Sequence, residues 1–147
     1  MRIRLIAVGK VKERGLRAAV DDYLGRIDRY SKVKEVELKD GPIADVEARF
    51  RKAIPDDRAR VVALEVDGKS YSSARLAKFV GETQNRGVQT LCFLIGGADG
   101  LPPSVSAEAD LRLSMSAMTL PHRLARLVLA EQVYRAFTIL RNEPYDH

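Results

Sequence analysis

The sequence predicts an α/β protein: a mostly parallel sheet covered by helices on both faces. Three observations predict it. Short apolar runs alternate with amphipathic segments of helical period along the whole chain. The run Thr90–Ile95 is apolar on both faces, as a strand inside a parallel sheet must be. The 147 residues are 46% hydrophobic and 31% charged, which suits one domain over residues 1–147 and is too short for two.

The elements follow in order. Arg2–Val8 reads as a strand, with Ile3, Leu5, Ile6 and Val8 apolar, and Gly9 ends it. Gly15–Tyr30 reads as a helix, because Leu16, Ala19, Val20, Tyr23, Leu24 and Ile27 recur at steps of three and four. Val33–Leu38 alternates apolar and charged residues and predicts a strand exposed on one face. Gly41-Pro42 turns the chain. Val46, Phe50 and Ile54 predict a second helix stopped by Pro55. Arg60–Val66 is a third strand. Ser72 or Ser73 caps a third helix that ends near Gly87, and Thr90–Ile95 is a fourth, central strand. A short helix fits Ser104–Ala109 and a fifth strand Leu111–Met115. The last helix runs from Pro121 to about Arg141, with Thr119 as its N-cap.

Composition excludes several classes. The longest stretch without a charge, Gly87–Ala98, is shorter than the ~20 apolar residues of a spanning helix, so no membrane association is expected. The opening residues carry no apolar core of signal-peptide length, so no leader is expected. A single cysteine, Cys92, cannot form an internal disulfide, which points to a reducing cytoplasm. One Cys and two His make a structural metal site improbable.

The net charge of +5 is uneven. Residues 1–34 hold ten Lys/Arg against four Asp/Glu, and the remainder hold fifteen against sixteen. Lys10, Lys12 and Arg14, with Arg17, are the densest part. Such a cluster is either a solvated face or a surface for RNA phosphates.

A parallel sheet binds ligands beyond the carboxyl ends of its strands. The loops there are Gly9–Arg14, Val66–Tyr71, Gly96–Pro103 and Ser116–His122. The first has one glycine and two lysines, so it is no dinucleotide fingerprint, and no Walker loop or nucleophile elbow occurs. Glycines cluster instead at Gly96-Gly97-Ala98-Asp99-Gly100, either a tight turn or a ligand-hugging backbone. Leu113–His122 is small and uncharged and leads into the last helix. Its amide groups can hold a ligand, or it is simply a capped helix start. Arg123 and Arg126 oppose that helix's dipole at roughly 0.3–1 kcal/mol each if exposed, as solvated groups or as phosphate ligands. Glu131 and Arg135 stand four apart and can pair. The tail, Asn142–His147, carries Pro, Tyr and His after a packed helix, which favours docking over disorder.

Taken in order, Leu5–Lys10, Leu94–Leu101, Met118–His122 and Glu131–Ala136 closely resemble the ribosomal RNA large subunit methyltransferase H family of the SPOUT superfamily, over essentially the whole chain. The resemblance implies a C-terminal trefoil knot, a homodimer, and methyl transfer from S-adenosylmethionine to N3 of a pseudouridine in 23S ribosomal RNA on the ribosome. It implies a cofactor site of Leu64, Gly96, Met115, Ser116, Ala117, Met118, Thr119 and Leu120. The family's tail usually ends Tyr-His-basic. Here Asp146 takes the histidine's place and His147 follows it. N3 of a uracil-type ring is protonated at neutral pH, so its proton must be removed or the anion stabilised. His122, Tyr145 and His147 are the candidates for proton transfer and Arg135 for the anion or a neighbouring phosphate, with Lys10, Lys12 and Arg14 holding RNA backbone. The alternative is a non-catalytic RNA-binding or ribosome-assembly module with the same fold.

Overall fold

The computed structural model describes residues 1–56 and 58–145. It contains β1 (Arg2–Val8), α1 (Arg14–Asp28), β2 (Val33–Leu38), α2 (Ile43–Ala53), β3 (Ala59–Ser70) and α3 (Ser73–Asn85). β4 (Thr90–Ile95), α4 (Pro103–Glu108), β5 (Leu111–Ser114) and α5 (His122–Leu140) complete it. The five strands form one sheet of order β2-β1-β4-β3-β5, and every adjacent pair is parallel. β4 is central and buried along its length, as its unbroken apolar run requires. β2 lies at an edge, which explains its alternation of half-buried and exposed residues.

Parallel strands need long crossovers, and here the crossovers cover both faces. Successive side chains of a strand point to opposite sides. Ile3, Leu5 and Ala7 of β1 therefore join Ile27, Val80 and Leu129 in a core under α1, α3 and α5. Ile6 and Val8 join Phe50 and Val105 under α2 and α4. Ser72 caps α3, its hydroxyl accepting from the Arg75 amide at 3.1 Å.

Three expectations need correction. β3 continues four residues past Val66, to Ser70, because Lys69 and Ser70 pair with β5 after an irregularity that begins at Leu64. The strands cross so closely there that a Cβ on Gly68 would lie 2.7 Å from the Arg112 backbone. Thr119 is not the N-cap of α5. Pro121 occupies that place, and no side chain caps the helix. The preceding loop makes its own turn instead, with Ser116 Oγ accepting from the Met118 amide at 2.9 Å. Finally, Arg126 is neither solvated nor free to take a phosphate. It is the largest fully buried side chain among the described residues.

β5 and β2 are opposite edges of the sheet. The segment after β5 therefore crosses the carboxyl ends of β3 and β4 before α5 begins, and Arg126 on α5 reaches β2. That crossing positions the site.

Candidate active site

The cleft lies at the carboxyl ends of β3, β4 and β5. It has a volume of about 510 Å³, within the range of small-molecule sites. Leu64 and Val66 form one wall, Ile95 to Leu101 another, and Met115 to His122 the third. The glycine turn is built by necessity. A Cβ on Gly96 would collide with the backbone of Gly100 and Leu101. Gly100 has φ +77°, and its amide donates to the Gly97 carbonyl at 3.0 Å. In the opposing loop Ala117, Met118 and Thr119 are exposed residues. Glu65 is the only Asp, Glu, Lys or Arg lining the cleft among the described residues.

Of the cofactor residues expected from sequence, Leu64, Gly96, Met115, Ser116, Met118, Thr119 and Leu120 line this one cleft. Ala117 is exposed and does not. His122 stands at the mouth. Sequence reasoning missed Glu65, whose only signal was adjacency to a strand end, and Ala125 in the first turn of α5.

The start of α5 is clamped to the sheet by Arg126. Its Nη1 reaches Glu35 at 2.9 Å and Glu37 at 2.5 Å, and its Nη2 donates to the Gly9 carbonyl at 3.1 Å. Arg17 joins from α1, contacting Glu35 at 2.6 Å. Glu35 and Glu37 are two apart on β2 and so share a face. Arg123 pairs with Glu13 at 3.0 Å. The Gly9–Arg14 loop is thereby held against the cleft's third wall, and Lys10, Lys12 and Arg14 are exposed beside it. Cys92 lies away from the cleft, in the amino half of β4 level with Arg4 and Val61, as a buried thiol. Burial pushes its pKa up to about 11.

Arg135 and Tyr145 stand elsewhere. Arg135 is thirteen residues beyond His122 on α5, roughly 20 Å along the helix axis. There Glu131 accepts from Arg135 Nε at 3.0 Å, and the guanidinium lies 4.5 Å from the Tyr145 ring centre. The Tyr145 hydroxyl is within reach of Glu131 at 3.2 Å and Tyr23 at 3.3 Å. Desolvation, then these polar neighbours, hold that hydroxyl well above the usual tyrosine range. The hydroxyl is thereby held in its protonated form. The expectation that the tail docks holds as far as Tyr145, and Tyr30 also donates to Glu143 at 2.5 Å. Asp146 and His147 lie outside the described residues. One chain thus brings His122, but neither Arg135 nor Tyr145, to its own cleft.

A parallel sheet with a glycine turn facing an uncharged loop, on a chain of this length, narrows the possibilities. The family model described as "Predicted SPOUT methyltransferase" matches residues 1–147. The chain belongs to the SPOUT methyltransferase family. As a SPOUT chain it is 54% identical, over 147 residues and all of both sequences, to the ribosomal RNA large subunit methyltransferase H of Sorangium cellulosum. It is 41% identical over 154 residues to the protein of that name in Geotalea daltonii, again over both full lengths. Among solved structures, a probable methylase family protein from Haemophilus influenzae Rd KW20 superposes with a TM-score of 0.57. The identity is 12%, and the match covers 95% of this chain and 66% of that one. That likeness supports the SPOUT fold alone.

Proposed function

We propose that this protein transfers a methyl group from S-adenosylmethionine to N3 of a pseudouridine in 23S ribosomal RNA, on the ribosome, as a homodimer. One observation carries it. The residues that would hold the cofactor form a single cleft, in a chain that matches its rRNA-methyltransferase relatives from end to end. The cleft fits the cofactor. Its lining is largely apolar, as an adenine ring needs, and backbone groups of the glycine turn and the Met115–Leu120 loop would serve the ring nitrogens. Its glycine turn closes tightly because Gly96 has no side chain to meet the backbone of Gly100 and Leu101.

Bound S-adenosylmethionine would supply an activated methyl on a sulfonium. The chain's own residues do the rest. The glycine turn and the Met115–Leu120 loop fix the donor's position, and such positioning is worth several kcal/mol. His122 at the mouth faces the incoming base and is placed to take the N3 proton. Tyr145, kept protonated, donates a hydrogen bond to the developing anion, and Arg135 offsets its charge. The latter two reach a cleft only if a second copy presents them, which is the support for the dimer. Leu124 and Val128 of α5 and Val66 of β3 are exposed apolar groups, Val66 lining this cleft and Val128 a second one that shares Leu113 and Met115 with it, and that copy would bury them. Lys10, Lys12 and Arg14 hold RNA backbone at the cleft's rim. The edge-to-edge crossing between β5 and α5 supports the trefoil threading. Among the described residues no helix is long and apolar enough to cross a membrane, and no His, Cys, Asp and Glu group could hold a metal.

The test is direct. Purified protein, labelled S-adenosylmethionine and ribosomes lacking the modification are combined, and the 23S RNA is mapped by mass. One methyl on a pseudouridine is expected. An unmodified 23S RNA, or methyl found only on other RNA, sinks the reading.

A further inference from the structure

The opposite end of the molecule carries a second basic surface. Two polar clefts adjoin at the amino ends of the strands. One is lined by Arg58, Arg60 and Arg86, the other by Arg2 and Arg4, and they share Gly87 and Val88. Two of the five arginines are tied down. Arg60 donates to Thr83 Oγ1 at 3.0 Å with its guanidinium over Phe79, and Arg4 donates to the Ala53 carbonyl at 2.8 Å. Arg2, Arg58 and Arg86 are exposed and make no side-chain hydrogen bond or ion pair with any described residue. The only carboxylate lining either cleft, among the described residues, is Asp110, and it already accepts from the Val61 amide at 2.8 Å. Arg58 is held in the cleft wall at φ +30°, a conformation unfavourable for a residue with a side chain. Arg86 ends α3 and so complements that helix's dipole, but Arg2 and Arg58 lie on no helix.

We infer that Arg2, Arg58 and Arg86 form a second phosphate-binding surface for the RNA backbone. It lies at the far end of β1 from Lys10, Lys12 and Arg14. The seven residues of β1 separate the two surfaces by about 20 Å. The chemistry favours RNA over an acidic protein. The free groups are all guanidiniums, whose forks fit phosphate oxygens two at a time, and the lining offers no exposed aromatic anchor of the kind protein interfaces use. The inference rests on the ribosomal RNA reading and adds a site to it.

The experiment uses the full-length triple variant R2A/R58A/R86A and its all-lysine counterpart. Affinity is measured from 50 to 200 mM KCl, for intact ribosomes and for protein-free 23S RNA. The alanine variant should bind both about tenfold more weakly at 150 mM, with the slope of log K against log salt lower by two to three. The lysine variant should keep the slope. Calorimetric affinity for S-adenosylmethionine and the thermal midpoint should match wild type in both. Unchanged RNA affinity and slope in the alanine variant, with normal wild-type binding, overturn this surface and leave the enzymatic reading standing. Weaker binding to ribosomes but not to protein-free RNA assigns the arginines to a protein contact and also overturns it. Wild-type protein that binds neither probe overturns both.

Discussion

Gly96 is the residue on which the cleft depends most directly. Its missing side chain lets the turn after β4 close against Gly100 and Leu101. Gly96→Ala should open that turn, shift the donor by a fraction of an ångström or more, and lower methyl transfer by about a hundredfold. Calorimetry with S-adenosylmethionine should show the matching loss of affinity. Wild-type affinity would mean the turn does not touch the cofactor. Tyr145 supports a different test. Because burial and its polar neighbours keep its hydroxyl protonated, its only chemical role below pH 10 is to donate. Tyr145→Phe should lower turnover by one to two orders of magnitude and leave the shape of the pH–rate profile intact. Loss of an ionisation from that profile would make Tyr145 the base instead. Arg126 is the third such position. Removing it leaves Glu35 and Glu37 beside an emptied buried site. Arg126→Ala should therefore cost about 3 kcal/mol in urea unfolding, the low end for a broken buried pair, because both carboxylates keep some water. A cost below about 1 kcal/mol would show that solvent replaces the clamp.

At the scale of elements, the tail is fastened by polar contacts. The Tyr30 hydroxyl donates to Glu143, and this bond, with burial and the carboxylate's charge, raises its pKa from 10.0 to about 12. The sign follows. A raised pKa means the folded state favours the protonated phenol, so the contribution is whole below pH 10 and is lost as the pH climbs through about 12. The stability difference between wild type and Tyr30→Phe should be largest at pH 9 and shrink toward pH 12, measured by denaturant unfolding. A difference that does not change over that range would deny the bond. Most elements were legible because periodicity carries them. β1, β2 and β4 lie at the bounds their apolar patterns predict, and β4 is central as its two-faced burial requires. What was illegible depended on distant partners. Asp67 and Lys69 read as loop, yet Arg112 of β5 pairs with Asp67 and Leu113 of β5 stands opposite Lys69. Arg126 read as solvated or as a phosphate ligand, since nothing local announces that Glu35 and Glu37, some ninety residues earlier, would face it.

For the whole molecule, the decisive fact is the separation of His122 from Arg135 and Tyr145 by most of the length of α5. The residues proposed to hold the cofactor were legible as a group because three of the four loops at the strand ends line a single cleft. The proposed catalytic set was not legible as a geometry, because one chain does not assemble it. If a second copy presents Arg135 and Tyr145 to this cleft, two defective chains can repair one another. Arg135→Ala removes the cation, and Thr119→Trp fills the cleft from an exposed loop position. Each variant alone should be inactive. Mixed in equal amounts and allowed to re-associate, half the dimers combine one of each, and each of those has one intact site of two. Activity should return to about a quarter of wild type. Leu124→Asp with Val128→Asp should yield folded monomers by light scattering, without activity. If the mixture stays inactive while the variants demonstrably exchange partners, each chain acts with its own residues, and Arg135 and Tyr145 belong to the fold rather than to the reaction.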